Sequence, residues 1–336
     1  VIGDKGLLGA GIGLALVVTT GFFAVQDAAG GDEGSRARSA LTVIAPAAAG
    51  GGWDLAAREF QQATRTESIV NNVQVVNVPG AGGTIGLGQL ARLDGEPTTV
   101  MVTGAAMVGG VEMGGSPVRL SDVTPIARLT DDFEVIAVPA DSPWQTLDDF
   151  LRAWEEDPDI PVGGGSAGSP DHLVAGQLAE AAGLDPADLH YTPHAGGGEL
   201  TISLLSDAGG TVQIGVTGFN DFRDLIEGGR LRALAVVAPE RLDGFDIPTT
   251  AELGHPSVDL VNWRGLVAAP GIGDEDRAEL LAITEEMYGA DSWQEATDRN
   301  YWQPNWAGPE EFAEFLADEE VRIRTLMTDL GLISGS

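Results

Sequence analysis

The stretch Ala45-Pro46-Ala47-Ala48-Ala49-Gly50-Gly51-Gly52-Trp53-Asp54 sits between an apolar run at 41–44 and a helical pattern that opens at Leu55. A strand therefore empties into a glycine-rich turn that starts a helix. Such a turn leaves several backbone N–H groups unpaired and aimed at one point, with the positive end of the helix dipole behind them. The result is an anion cradle that needs no charged side chain. The same construction returns as Val162-Gly163-Gly164-Gly165-Ser166-Ala167-Gly168-Ser169-Pro170-Asp171. Two cradles in two halves of one chain predict a clamp.

From residue 41 onward the order strand, turn, helix repeats. Strands are expected at 41–44, 73–78, 98–103, 134–138, 160–163, 189–192, 212–216, 231–237 and 261–268, with helices between them. The end of the chain reads as helical, at 274–288, 292–300 and 310–330. This alternation predicts an α/β protein with parallel-rich sheets flanked by helices. Ligands of such sheets bind beyond the carboxyl ends of the strands. The chain has 336 residues, room for two cores. Pro139-Ala140-Asp141-Ser142-Pro143 and Pro239 mark the expected boundaries: 1–39 a hydrophobic segment and flexible tether, 40–138 with 239–336 a discontinuous first domain, and 139–238 a second domain inserted into it.

Acidic residues number 51 against 18 basic ones, a net charge of −33, which excludes nucleic acid as a partner. The absence of cysteine excludes disulfides, thiolate metal sites, thiol nucleophiles and a lipid anchor on cysteine. Residues 7–25 carry no charge and follow Lys5. Their length is close to the ~20 residues that cross a bilayer, and the preceding charge keeps the N-terminus inside. A cleaved signal peptide and an uncleaved membrane anchor both fit this run, and either implies that the remainder is exported.

Six motifs in sequence order resemble the extracytoplasmic solute-binding subunits of tripartite tricarboxylate transporters. They are Pro46 with Gly51-Gly52-Trp53-Asp54-Leu55-Ala56-Ala57-Arg58, then Asn77-Val78-Pro79-Gly80-Ala81-Gly82-Gly83-Thr84-Ile85-Gly86, then Ser166-Ala167-Gly168-Ser169-Pro170-Asp171-His172-Leu173. Tyr191-Thr192-Pro193-His194-Ala195-Gly196-Gly197, Pro248-Thr249-Thr250-Ala251-Glu252-Leu253-Gly254 and Trp263-Arg264-Gly265-Leu266-Val267-Ala268-Ala269-Pro270 complete the series. The resemblance implies a two-domain, periplasmic-binding-protein-like clamshell of type II, with the ligand cleft between the domains. It also implies a small di- or tricarboxylate held by backbone amides and water with little help from side-chain charge, no cofactor, and delivery by a monomer to a small and a large transmembrane subunit. Cationic amino compounds are not expected to bind. His194 stands where the family usually has lysine.

The expected ligand-binding set is Ala48, Ala49, Gly50, Gly51 and Asp54 in the first loop, with Gly165, Ser166, Ala167, Ser169 and His172 in the second. Thr192, His194, Ala195, Gly196 and Gly197 form a third loop, and Thr103 and Thr217 add donors at strand ends. For Asp54, a helix pair with Arg58 that orders its loop is the simpler role. Three rival readings compete with this one. Gly164-Gly165-Ser166-Ala167-Gly168 satisfies the nucleophile-elbow pattern GxSxG, which would make a secreted serine hydrolase of Ser166 with His255 downstream. The glycines at 80–86 resemble a dinucleotide fingerprint, but Ile85 stands where it requires glycine. His190 and His194 have zinc-like spacing, but Pro193 and the strand pattern around them oppose a helix, so no metal site is expected. A solute sensor for a membrane receptor is a further alternative to transport.

Overall fold

Residues 36–194, 196–206 and 212–334 are described by a computed structural model. The apolar run at 7–25 and Ala195 lie outside them. The elements are α1 (Arg36–Ser39), β1 (Leu41–Ala45), α2 (Gly52–Thr66), β2 (Val73–Asn77), α3 (Thr84–Leu90), β3 (Thr99–Gly104), α4 (Ala105–Gly114), β4 (Thr124–Asp132) and β5 (Glu134–Pro139). There follow α5 (Leu147–Glu156), β6 (Val162–Gly164), α6 (Pro170–Ala181), β7 (Tyr191–Pro193), α7 (Gly197–Leu204), β8 (Ile214–Gly218), α8 (Phe219–Glu227) and β9 (Leu231–Val237). The chain returns through β10 (Asn262–Ala268), α9 (Asp274–Tyr288), α10 (Asp291–Arg299), β11 (Gln303–Ala307) and α11 (Pro309–Asp329).

These strands make two sheets, ordered β11-β4-β10-β3-β1-β2 and β7-β6-β8-β5-β9. Each is mixed. In the first, β2, β1 and β3 run parallel while β10, β4 and β11 alternate in direction; in the second, β7, β6 and β8 are parallel while β5 and β9 are antiparallel additions. The parallel half of each sheet is the part that the strand–helix alternation predicts. In the antiparallel half, β5 and β10 arrive from the other sheet, a connection that local alternation does not encode. Within each sheet the chain leaves one inner strand, β1 or β6, for a neighbour on one side and then crosses to the other side, β3 or β8. Those two switch points are where ligands bind in open α/β sheets.

The chain passes from the first sheet to the second at Phe133, between β4 and β5. Asp132 and Glu134 flank it, two residues apart and so on the same side of the strand, while Phe133 itself packs in the smaller of the two hydrophobic clusters. The boundary expected at 138/139 falls near the far end of β5, which belongs to the second sheet. The proline-rich stretch after β5 leads into α5.

The expected flexible tether also ends earlier than its composition suggests. Arg36–Ser39 form a helix with Ala37 buried, and the Arg38 guanidinium pairs with Glu279 at 2.6 Å and Glu286 at 2.7 Å on α9. At the other end, α11 buries Phe312, Leu316, Ile323 and Met327. It packs on α4 in the first lobe and α6 in the second, so it straps both.

Candidate functional site

A cavity of about 310 Å³ opens between the two switch points. Gly50, Gly52, Trp53 and Ala106 line it from the first lobe, and Gly165, Ser166, Ser169, Asp171, His194, Gly196, Thr217, Asn220 and Asp221 from the second. Asp132, Asn262 and Arg264 line it where the lobes join. The N-termini of α2, α4, α6 and α8 all start at this cavity. Each brings the partial positive charge and the unpaired N–H groups of a first helical turn.

The two glycine-rich loops do form, but each already holds an anion of its own. In the first, the Gly50 N–H donates to Asp54 Oδ2 at 2.8 Å. In the second, the Gly165 N–H donates to Asp171 Oδ2 at 2.8 Å. Other amides expected to face a ligand are also engaged: Gly51 donates to Ala48 O, Ser169 to Ser166 O, and Gly168 to His172 Nδ1 at 3.2 Å. His172 stacks on Tyr191 with centroids 3.9 Å apart. Burial lowers its pKa to about 4, which keeps the ring neutral and Nδ1 free to accept. Its role is to fix the second loop from behind.

Of the predicted set, Gly50, Gly165, Ser166, Ser169, His194, Gly196 and Thr217 line the cavity, whereas Ala48, Ala49, Gly51, Asp54, Ala167, His172, Thr192 and Gly197 do not. Thr103 is fully buried on β3 behind the wall, and Ala195 lies outside the described residues. His194 is held at both ring nitrogens. Its Nδ1 donates to Gly164 O at 3.1 Å, since a carbonyl only accepts, and its Nε2 meets Ser203 Oγ at 2.8 Å. The Thr217 hydroxyl donates to Asp221 Oδ2 at 3.1 Å. His255, the hydrolase partner, lies 3.6 Å from Asp148 at the start of α5 and does not line the cavity with Ser166. His190 lies on the surface near Asp159.

The sequence reading missed the charged part of the site. Arg264 is 7 % exposed; β10 lies antiparallel beside β3 and sets this residue opposite Gly104. Its guanidinium donates to Asn262 Oδ1, and its Nη2 lies 3.3 Å from Asp132 Oδ2. Asn262 in turn donates to Glu134 Oε1 at 3.1 Å. Among the described residues, Arg264 Nε and Trp53 Nε1 have no partner. The indole and the guanidinium meet at Gly104: a Cβ there would lie 3.0 Å from Trp53 Nε1 and 3.3 Å from Arg264 Nη1, and one on Gly52 would lie 2.9 Å from Arg264 Nη2. Glycine at 52 and 104 is thus what lets the guanidinium sit against the first lobe's loops.

Facing that one cation are three aspartates. Burial pushes Asp132 up to about 6 despite Arg264, with Asp221 and Asp171 adding repulsion. Burial also pushes Asp171 up to about 6, against the Gly165 N–H that favours its charged form. Asp221 is raised mainly by burial as well. Glu134, beneath them and fully buried, is held well above the usual carboxylate range by burial and then by Asp171 and Asp132. Asp171 and Asp221 occupy first helical turns, where the dipole offsets part of this cost, by about 0.3–2 kcal/mol each. A further anion 4 Å from any one of them would be disfavoured by about 4 kcal/mol at an effective dielectric of 20.

Two lobes of like strand order, with a polar cavity between their switch points, define a solute-binding protein of the two-domain clamshell type. Residues 56–332 match the model of the tripartite tricarboxylate transporter family receptor, TctC, and the chain belongs to that family. The chain is 26 % identical to Protein BugT of Bordetella pertussis over 87 % of its own length and 89 % of that protein's. Among solved structures, a TctC solute-binding protein from Polaromonas is 30 % identical, with a TM-score of 0.68 over 87 % of this chain and 99 % of the other. MatC from Rhodopseudomonas palustris, solved with bound malate, has a TM-score of 0.73 at 22 % identity, over 86 % of this chain and 98 % of the other. The family that the six motifs resemble is therefore the family found.

Proposed function

We propose that this protein is an extracytoplasmic receptor that captures a small carboxylate between its lobes and delivers it to a small and a large transmembrane transporter subunit. The observation that carries the reading is that Trp53 and Arg264 both line the cavity at the switch points, each with a buried donor, Nε1 and Nε, that has no partner among the described residues. Buried polar groups are nearly always hydrogen-bonded, and a carboxylate is the acceptor that suits an indole N–H beside a guanidinium. Malate in the related fold of MatC supports the same class of ligand. One domain would comprise the first sheet and the other the second, with the hinge at Phe133 and near Val261, where the chain returns; closure about these strands would trap the solute. The receptor would act as a monomer, with the apolar run at 7–25 serving as its export signal or tether. No helix among the described residues is long and apolar enough to cross a membrane.

A thermal-shift panel of small organic acids at millimolar concentration tests this reading. A ligand at 100 times its Kd adds about 2.7 kcal/mol of stability, so at least one monocarboxylate, dicarboxylate, tricarboxylate or amino acid should raise Tm by several degrees. A broad panel without any shift would remove the reading.

A further inference from the structure

The two walls of the cavity differ in sign, and that difference bears on which carboxylate the receptor takes. On the first-lobe side stand the N-termini of α2 and α4, the Trp53 indole N–H and the Arg264 guanidinium. The nearby acid of that lobe, Asp54, faces elsewhere, bonded to Gly50, Arg58 and Asn77. On the second-lobe side stand Asp171 and Asp221, with Asp132 between the lobes. Asp132 has Arg264 as a partner. Neither Asp171 nor Asp221 has a salt-bridge partner among the described residues. Asp171 accepts from the Gly165 N–H and Asp221 from the Thr217 hydroxyl, and Thr217 also favours the charged form of Asp171.

Three simple ligand classes fit this arrangement poorly. A di- or tricarboxylate would satisfy Trp53 and Arg264 with one end and push another carboxylate toward Asp171 and Asp221. A purely cationic solute would satisfy the aspartates and leave the indole N–H and the guanidinium Nε without an acceptor. A metal ion has no seat, since among the described residues no three His, Asp or Glu side chains are grouped to hold one.

We propose that the cavity takes a zwitterion: a small amino acid whose carboxylate lies against Arg264 and Trp53, and whose protonated amine lies between Asp171 and Asp221. This rests on the carboxylate-receptor reading above and narrows it, away from the di- or tricarboxylate that the family resemblance implies. The ammonium donates to the carboxylate oxygens left over in the second lobe and neutralises the cluster on closure. The carboxylate end completes the unpaired donors of the first. The ligand itself becomes the bridge between lobes of opposite sign.

The test is calorimetric titration of the full chain with matched probes. These are 3-aminopropanoate, 4-aminobutanoate, 5-aminopentanoate and L-2-aminobutanoate, set against malonate, succinate and glutarate. At least one amino acid should bind ten-fold or more tightly than the dicarboxylate of equal length. Asp221→Asn, which keeps an oxygen for the Thr217 hydroxyl, should weaken that amino acid ten-fold or more and leave the dicarboxylate unchanged or improved. Arg264→Gln should weaken both classes. Asp171→Asn, which keeps an acceptor for the Gly165 N–H, serves as a second variant should Asp221→Asn unfold. A dicarboxylate that binds as tightly as its amino counterpart overturns the zwitterion and leaves the receptor reading standing. Asp221→Asn and Asp171→Asn both binding the amino acid as the wild type does also overturn it. Failure of every organic acid in the broad panel overturns the receptor reading itself.

Discussion

The loop after β1 and the loop after β6 are built alike, and their aspartates behave in opposite ways. Asp54 and Asp171 each accept a glycine N–H of the preceding loop at 2.8 Å, and each lies in the first turn of the helix that follows. Burial raises both carboxyls. For Asp54 the Arg58 guanidinium, the Gly50 N–H and Asn77 outweigh burial and hold it below the usual value. Asp171 has no such cation, and burial leaves it at about 6. One backbone device thus yields an inert structural acid in the first lobe and a strained, cavity-facing acid in the second. A group held against its own solvation preference is where a ligand has most to gain.

The largest expected effect comes from the residue that separates the two signs. Arg264→Gln removes the guanidinium from the Asp132 carboxylate, and breaking a buried pair costs about 3–5 kcal/mol. The sign with pH follows from Asp132. Its folded pKa of about 6 already exceeds the ordinary 3.8, and losing Arg264 moves it further up. Near pH 4 the carboxyl is protonated in the folded wild type and the folded variant alike, so the substitution loses little through this charge. Above pH 7 the variant must either bury an unpaired anion or take up a proton. Denaturation of the full chain should therefore show a deficit of about 3 kcal/mol at pH 8 that shrinks toward pH 4. An equal deficit at both values would mean that Arg264 acts by packing alone.

Much of this architecture is legible in the sequence, and the losses share a cause. The expected strands at 134–138 and 231–237 correspond to β5 and β9, and the helix expected at 274–288 is α9 to the residue. The loops at 45–54 and 162–171 are where the glycines put them. β4 went unseen because Thr124-Pro125 opens it like a turn and Asp131-Asp132 closes it like a solvated loop. In the fold that acidic end is buried between the sheets, and missing the strand meant missing Asp132. α4 was hidden for a different reason. Ala105–Gly114 is apolar on most faces, with three glycines, so it lacks the polar stripe by which a surface helix is recognised. Arg264 and Asp171 lie within motifs of the sequence, but only tertiary pairing of β10 with β3, and of the loop after β6 with α6, brings them to one cavity.

A paired substitution tests the contrast between the two aspartates directly. An aspartate with a folded pKa of about 6 against 3.8 unfolded costs the fold about 3 kcal/mol when ionised. Asp171→Asn keeps an acceptor for the Gly165 N–H and removes that charge, so it should stabilise the unliganded protein by about 1–3 kcal/mol at pH 8 and change little at pH 4. Asp54→Asn should do the reverse. Its carboxylate is favoured in the fold, so the substitution costs about 1–2 kcal/mol at neutral pH, with the penalty fading as the pH falls below 4. Chemical denaturation at the two pH values measures both. Loss of stability in both variants at pH 8 would erase the distinction between a structural and a functional acid.

The smallest effects separate backbone from site within the loops themselves. Gly50 has φ +87 and open space around a would-be Cβ. Alanine there meets no atom and incurs only the left-handed penalty, about 1–2 kcal/mol. Gly165 carries no such backbone demand, but a Cβ there would stand 3.0 Å from Asp171 Oδ2 and 3.3 Å from Ser169 Oγ. The contact crowds the carboxylate that faces the cavity and disturbs the N–H that holds it. Gly50→Ala should therefore unfold about 1 kcal/mol more easily and bind the best probe within three-fold of wild type. Gly165→Ala should keep its stability within about 0.5 kcal/mol and bind that probe several-fold more weakly. Titration and denaturation of the two variants side by side give the result. Should Gly50→Ala lose binding while Gly165→Ala retains it, the first loop would be the one that grips the ligand, and the roles assigned to Asp54 and Asp171 would exchange.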